Sequence, residues 1–105
     1  MDALELPHPI TFEWDAGNLT KSLTKHDVTN QEAEEVFFNF NIIYSDSKHS
    51  KKEERLLILG RSDNGKFVIS SFTVRDSKLR IITSRAASKK ERHIYEKTLK
   101  ENSKL

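Results

Sequence analysis

Four arginines in the last third of the chain have the type and spacing expected of a phosphate-binding site. Arg75 ends one predicted strand, Arg80 and Arg85 lie on the next, and Arg92 lies in the last predicted helix. A guanidinium group stays ionised, and its planar fork matches two phosphate oxygens at once. An exposed ion pair is the commoner role for any single arginine. Clustered like charges repel unless an anion offsets them, so the cluster indicates an anionic partner.

The spacing within this cluster sets a condition on any shared groove. Arg80 and Arg85 are an odd number of residues apart, so an uninterrupted strand would direct them to opposite faces. They can line one groove only if Arg85 lies beyond the end of its strand. The stretch 84–87, just before a predicted helix cap at Ser88, favours that arrangement.

Lys25 and His26 are the candidates for proton transfer. Cleavage of RNA without a metal needs a base for the ribose 2′-hydroxyl, cations for the phosphate and an acid for the leaving oxygen. The unperturbed pKa of histidine, near 6.5, suits the first or the last role. The residues alone do not decide which of the two is the base, and a lone histidine at a helix end is more often a cap. Trp14 could stack on a base, although a single tryptophan is more often a core anchor.

Several kinds of site are excluded by the composition. The chain has three glycines, which cannot form a phosphate-cradling or dinucleotide loop, and it has no cysteine. Its four histidines show no metal-ligand spacing, so we predict neither a metal nor a cofactor. No apolar run approaches the roughly 20 residues that span a bilayer, and no feature suggests export. We expect a cytoplasmic protein without a membrane partner.

Charge is distributed unevenly along the 105 residues. Residues 1–74 hold 8 Lys and Arg against 12 Asp and Glu, whereas residues 75–105 hold 10 against 4. The carboxyl third is therefore basic in a chain whose formal net charge is only +2. A basic segment of this kind favours nucleic acid as the partner, with an acidic protein second; a solvated helix face is the alternative.

Three helices are predicted from their caps. Asp15 can cap a helix over 15–25, while Thr29 with Glu32 and Ser88 with Glu91 fit capping boxes for the second and third helices. Apolar residues then follow at helical spacing. They are Ala33, Val36, Phe37 and Phe40 in the second helix. In the third, Ile94, Tyr95 and Leu99 share one side with Thr98, and this helix should end near Asn102.

The strands follow from alternation and turn signals. Predicted strands cover residues 10–14, 56–59, 67–74 and 79–83, and residues 45–55 form a charged loop. Asn64-Gly65 predicts a type I′ hairpin turn, and Asp76-Ser77 is a weaker turn signal. The short connections indicate an antiparallel meander. The predicted fold is α+β, with an antiparallel sheet of three to five strands, two N-terminal helices and one C-terminal helix, in a single domain over 1–105.

An ordered set of motifs over residues 11–96 resembles the BrnT toxin family. Its first part is Phe12-Glu13-Trp14-Asp15, Asn18, Lys25-His26, Val28, Glu32-Ala33 and Val36-Phe37. Its second part is Glu54-Arg55, Ile58 to Gly60, Gly65, Thr73-x-Arg75, Arg80-Ile81-Ile82-x-Ser84-Arg85, Ala87 and Lys90-Glu91-Arg92 through Tyr95-Glu96. Each piece is short, and the order and spacing of the whole set make the resemblance specific.

The resemblance implies a bacterial type II toxin with a RelE-like fold. Such a toxin would be a metal-independent endoribonuclease that cleaves cellular RNA and is neutralised by a BrnA-like antitoxin. Operator DNA would be bound only through the toxin-antitoxin complex. Carried onto this sequence, the catalytic candidates are Lys25, His26, Arg75 and Arg85, and the substrate-binding candidates are Trp14, Arg80 and Arg92.

Three positions depart from the family pattern. The family usually has Gly where Asp27 stands, an aromatic residue near Asn30, and Ala in place of Thr83. The first two bear on the shape of the Lys25-His26 turn. They motivate an alternative function, a regulatory module that binds RNA or an antitoxin without chemistry. A housekeeping RNA-binding domain unrelated to toxins is a third hypothesis.

Overall fold

The computed structural model describes residues 6–15, 27–46 and 54–102. Within them lie two α-helices, one short 3-10 helix and four strands. In chain order these are α1 (Asn30–Glu35), the 3-10 helix (Val36–Phe38), β1 (Asn41–Ser45), β2 (Leu56–Arg61), β3 (Phe67–Arg75), β4 (Lys78–Ala86) and α2 (Lys89–Asn102). The predicted helix over 15–25 falls almost wholly on residues 16–26, outside the described part.

The four strands form one antiparallel sheet in the order β1-β2-β3-β4. The α+β class and the antiparallel meander are therefore confirmed, as is the C-terminal helix. Strand β1 was not predicted, although its Ile42-Ile43-Tyr44 run has the β-branched and aromatic composition of a strand. The predicted strand over 10–14 is reduced to a single parallel bridge between Phe12 and Leu79.

The two faces of the sheet bury separate apolar clusters. On one face, Ala33, Val36 and Phe37 pack with strand residues that include Ile58 and Phe72. On the other face, Tyr95 of α2 packs with Leu59 and Ile69. We call the second face the α2 face. Successive strand residues point to opposite faces, so the position of each β3 residue also fixes the face of its partner on β4.

The second predicted helix is shorter than its apolar stripe suggested. The capping box is present, since the Thr29 hydroxyl accepts from the Glu32 amide at 3.0 Å and the Glu32 carboxylate accepts from the Thr29 amide at 2.9 Å. The helix nevertheless does not reach Phe40, which packs on the α2 face with ring centroids 5.6 Å from Tyr95. The Asn41 side chain donates to the carbonyl of Val36 and ends the helical turn there.

The type I′ geometry predicted for Asn64-Gly65 is wrong, and Asp76-Ser77, predicted only as a turn, has positive φ at both residues. Asn64-Gly65 does not form a type I′ turn, because only Gly65 has a positive φ, of 88°. The Gly65 amide donates to the carbonyl of Ser62, while the Asn64 side chain donates to Glu32 at 2.9 Å and is held away from the left-handed region. Asp76 and Ser77 instead adopt φ values of 52° and 63°, as a type I′ turn requires.

The described ranges contain no helix that is both long enough and apolar enough to cross a membrane.

Candidate functional site

A β-bulge in β4 determines where the strand arginines point. Arg80 pairs with Thr73 and Arg85 pairs with Ile69, and the register shifts so that Ile82 is an extra residue between them. Thr73 and Ile69 are four residues apart on β3, so they share the α2 face, and so do the two arginines. The expectation that Arg85 must lie past the strand end was wrong. Arg85 lies inside β4, and the bulge restores the common face.

Arg80 is held by carboxylates of the N-terminal segment. Its guanidinium donates to the two carboxylate oxygens of Asp15 at 2.6 and 3.0 Å, and a Glu13 oxygen lies 3.6 Å away. These hydrogen bonds and charges raise the pKa of Arg80 above its ordinary value. Backbone hydrogen bonds that join Leu79 to Thr11 and Glu13 bring the segment to β4. In this structure Arg80 therefore ties the N-terminal segment to the sheet.

Arg85 is tied to the first turn of α2. Its guanidinium donates to both carboxylate oxygens of Glu91 at 2.9 Å, and it also donates to the carbonyl of Ala86. Glu91 accepts from the Ser88 amide at 2.7 Å and so completes the predicted capping box. Arg85 is the main cause that lowers the pKa of Glu91 to about 2. Of the five N–H donors of Arg85, two remain after these contacts.

Arg75 is separated from Arg85 by most of the length of the sheet. It is exposed at the end of β3, where it pairs with Lys78 across the Asp76-Ser77 turn. Arg75 lies six positions along β3 from Ile69, the partner of Arg85, which corresponds to about 20 Å at roughly 3.3 Å per residue. All three strand arginines share the α2 face, but the structure does not bring Arg75 and Arg85 to one phosphate.

Arg92 lies over the Phe67 ring together with Arg61, an arginine that the sequence motifs did not indicate. The Cζ atoms of Arg92 and Arg61 each lie 4.7 Å from the centroid of the Phe67 ring. Arg61 is the direct partner of Phe67 across the β2–β3 hairpin. A cation and an aromatic residue flanking one hairpin turn are a signal that could have indicated Arg61. In the described part of the chain, neither guanidinium forms an ion pair with a carboxylate.

Trp14 packs on the opposite side of the sheet from the arginines. Its indole N–H donates to Glu34 at 2.6 Å, and its ring lies against the cluster that contains Val36 and Phe37. The contacts in this structure are those of a core anchor, the alternative stated above. Trp14 and the arginines of the α2 face are therefore not brought to one groove.

Lys25 and His26 lie outside the described residues, but the next residue is placed. Asp27 has a φ of 56°, in the left-handed region that favours glycine, the residue that the resemblance leads one to expect at this position. The Asp27 carbonyl accepts from Lys66 Nζ at 2.8 Å, and Lys66 also pairs with Glu32 at 3.1 Å. The chain at position 27 is therefore fixed beside the β2–β3 turn.

Glu32 connects this turn to α1. Burial disfavours its charged form, but hydrogen bonds from Thr29, Asn64 and Lys66 outweigh burial and lower the pKa of Glu32 to about 2. The carboxylate is 11% exposed. No group of three or more His, Cys, Asp or Glu side chains that could hold a metal ion occurs among residues 6–15, 27–46 and 54–102.

Comparison with known proteins gives one family. The sequence model of the family described as the ribonuclease toxin, BrnT, of type II toxin-antitoxin systems matches residues 14–91. No curated protein matches the chain. The matched range begins at Trp14, ends at Glu91 and includes β1 to β4.

Proposed function

Since the chain belongs to the BrnT family of ribonuclease toxins from type II toxin-antitoxin systems, we propose that it is a metal-independent endoribonuclease that cleaves cellular RNA. Cleavage would stop growth until a BrnA-like antitoxin neutralises the toxin. Residues 1–105 would form one domain with a RelE-like fold, acting in the cytoplasm. Operator DNA would be bound only through the complex with the antitoxin. Membership of this family also replaces the hypothesis of an unrelated housekeeping domain.

The observation that best supports RNA cleavage is the bulge at Ile82. It gives Arg85 the same face as Arg80 and Arg75, so a single strand of RNA along β3 and β4 could meet both Arg75 and Arg85. Because Arg75 and Arg85 are about 20 Å apart, we assign them different phosphates. Arg85, with two N–H donors left, would hold the cleaved phosphate, and Arg75 would hold another phosphate further along the strand.

Proton transfer would fall to Lys25 or His26. Asp27, the next residue in the chain, contacts Lys66, which precedes β3 at the end of the sheet that also carries Arg85. This placement supports a role for the Lys25-His26 pair beside Arg85 rather than beside Arg75. Arg92 would contact the RNA backbone at the same end. For Trp14 and Arg80, the ion pair and the core contacts favour holding the N-terminal segment in position over direct contact with RNA.

Two measurements test this function. Purified wild-type protein should cut single-stranded RNA in an excess of chelator, and loss of cutting in chelator would contradict a metal-independent reaction. Arg75→Ala should abolish growth arrest while changing the free energy of unfolding by less than about 0.5 kcal/mol, because the residue is exposed. Lys78→Ala, the partner across the same turn, is the matched control and should remain toxic. Full toxicity of Arg75→Ala would remove Arg75 from the mechanism.

A second function, binding without chemistry, is favoured by one observation. Both Arg80 and Arg85 already pair with carboxylates of the protein, which reduces their attraction for phosphate. A protein of this kind would retain RNA or an antitoxin without cutting. Incubation with RNA distinguishes the two functions, because the enzyme yields fragments whereas the binding module yields only a complex.

A further inference from the structure

A basic cleft of about 460 Å³ opens where the β2–β3 turn meets the start of α2. Arg61, Lys66, Phe67, Ala87 and Arg92 are among the residues that line it. Three of its lining residues are cations, and no described lining residue is acidic. The Cζ atoms of Arg61 and Arg92 each lie 4.7 Å from the centroid of the Phe67 ring. Two positive charges this close to one ring repel each other. The cleft therefore has the charge of a site for an anion.

The hydrogen-bond donors of this cleft are largely unused. Among the described residues, the Arg92 guanidinium donates no hydrogen bond, and Arg61 donates only a long one, at 3.4 Å, to the carbonyl of Gly65. A cation–π contact uses the charge of the guanidinium and the face of the ring, so the N–H groups stay able to bind an acceptor. Phe67 thus holds two arginines in place without neutralising either, whereas Arg80 and Arg85 are neutralised by carboxylates.

We propose that this cleft binds the sugar-phosphate backbone of the RNA away from the cleaved link, with Arg61 and Arg92 as the phosphate ligands. The inference rests on the proposed function and adds Arg61, Lys66 and Phe67 to the residues that meet the substrate. Lys66 lines the rim, but its ammonium group stays bound to the Asp27 carbonyl and to Glu32, so the unpaired charge of the cleft comes from Arg61 and Arg92. The contact with Asp27 also joins the cleft to the described residue that follows Lys25-His26 in the chain.

The test uses the full chain and a single-stranded RNA whose riboses are all 2′-O-methylated, so that binding is measured without cleavage. Fluorescence anisotropy gives Kd for Arg61→Gln, Arg92→Gln and the double variant at several KCl concentrations. Lys97→Gln, which removes an exposed charge from the same helix outside the cleft, is the matched control. Each arginine variant should weaken binding by about 5-fold or more at low salt and reduce the salt slope by about 1. Lys97→Gln should stay within about 2-fold of wild type.

Several outcomes would overturn the inference. Arginine variants that bind the methylated RNA as well as Lys97→Gln does would show that RNA does not cross the cleft. Variants that keep RNA binding but lose affinity for a poly-glutamate peptide would show that the cleft takes an acidic protein instead. Circular dichroism and urea unfolding of each variant check that the fold is retained. Arg61→Lys and Arg92→Lys keep the positive charge and should recover part of the affinity for RNA.

Failure of this inference can be told apart from failure of the proposed function. Wild-type protein that cuts unmodified RNA, combined with arginine variants that bind normally, would contradict only the cleft. Wild-type protein that binds the methylated RNA through Arg61 and Arg92 but never cuts unmodified RNA would support the cleft and contradict catalysis.

Discussion

Two regions of the α2 face hold arginine by different means. On β4, Arg80 donates to both carboxylate oxygens of Asp15, and Arg85 donates to both carboxylate oxygens of Glu91. At the β2–β3 turn, Arg61 and Arg92 lie on the Phe67 ring. We refer to the first two as the paired arginines and to the second two as the ring arginines. Of these four arginines, the paired arginines are the two that form an ion pair with a described carboxylate.

The difference separates two uses of one side chain. A paired arginine joins two segments of the chain: Arg80 holds the N-terminal segment on β4, and Arg85 holds α2 on β4. Its N–H groups that bind the carboxylate are then not available to a ligand. A ring arginine keeps its donors for a ligand and gains less for the fold, because an exposed cation–π contact contributes only about 0.5–1 kcal/mol. We therefore expect the ring arginines to contribute mainly to RNA binding and Arg80 mainly to stability. Arg85 should contribute to both, because two of its N–H donors remain for the cleaved phosphate.

Deletion of Ile82 should have the largest effect, because it removes the bulge that places Arg80 and Arg85 on one face of the sheet. Without the extra residue, one side of β4 must slip by one position relative to β3. Slippage of the first half would turn Leu79 and Ile81, which are at most 2% exposed, out of the core. We expect a loss of several kcal/mol in the free energy of unfolding, measured by urea denaturation.

Ile82→Ala provides the control for the deletion, because it keeps the bulge and shortens a side chain that is only partly buried. It should cost about 1 kcal/mol. A deletion variant as stable as Ile82→Ala would show that the common face of Arg80 and Arg85 does not depend on the bulge.

Features that depend on nearby residues could be predicted from the sequence. Both capping boxes, at Thr29 and Ser88, involve residues three positions apart, and both are present. Helix α2 follows the Ser88 cap and runs through Asn102, the last residue that the structure describes. The strands of the meander also follow, since alternation and turn residues are local signals. Apolar spacing at Phe40 was misleading, because a residue just past a short helix can have helical spacing and yet pack on the other face.

Features that depend on distant residues could not be predicted. The hairpin loop at Asn64 spans residues 62–66 rather than two residues, and the asparagine side chain donates to Glu32, 32 residues earlier. Arg80 pairs with Asp15 across 65 residues, and no local pattern links them. Arg61 became a candidate only once α2 had brought Arg92 to the same ring. Most of the candidate site consists of contacts of this second kind.

Substitution of one arginine from each pair tests the comparison directly. Arg85→Gln removes a bidentate ion pair and leaves Glu91, which is 20% exposed, without its cation. We expect a loss of about 1–2 kcal/mol, which would lower Tm by roughly 5–10 °C. Arg92→Gln should cost less than about 1 kcal/mol. Calorimetry of both variants checks the order, and an equal or larger loss for Arg92→Gln would contradict the assignment of support to the paired arginines.

The loss of fold stability in acid should also differ between variants of the paired arginines and of the ring arginines. In the folded protein the pKa of Glu91 is about 2, below its ordinary 4.5, so its ion pair stabilises the fold fully above pH 4.5 and loses this effect as the pH falls toward 2. The pKa of Glu32 is lowered to a similar value, so Glu91→Gln should reduce the loss of stability between pH 6 and pH 3 without abolishing it. Arg92→Gln should leave that loss as in wild type, because the ring arginines form no ion pair with a described carboxylate. Urea midpoints at the two pH values provide the measurement. If Arg92→Gln flattened the acid response as much as Glu91→Gln does, a carboxylate would have to be coupled to the ring arginines, and the distinction between the two regions would fail.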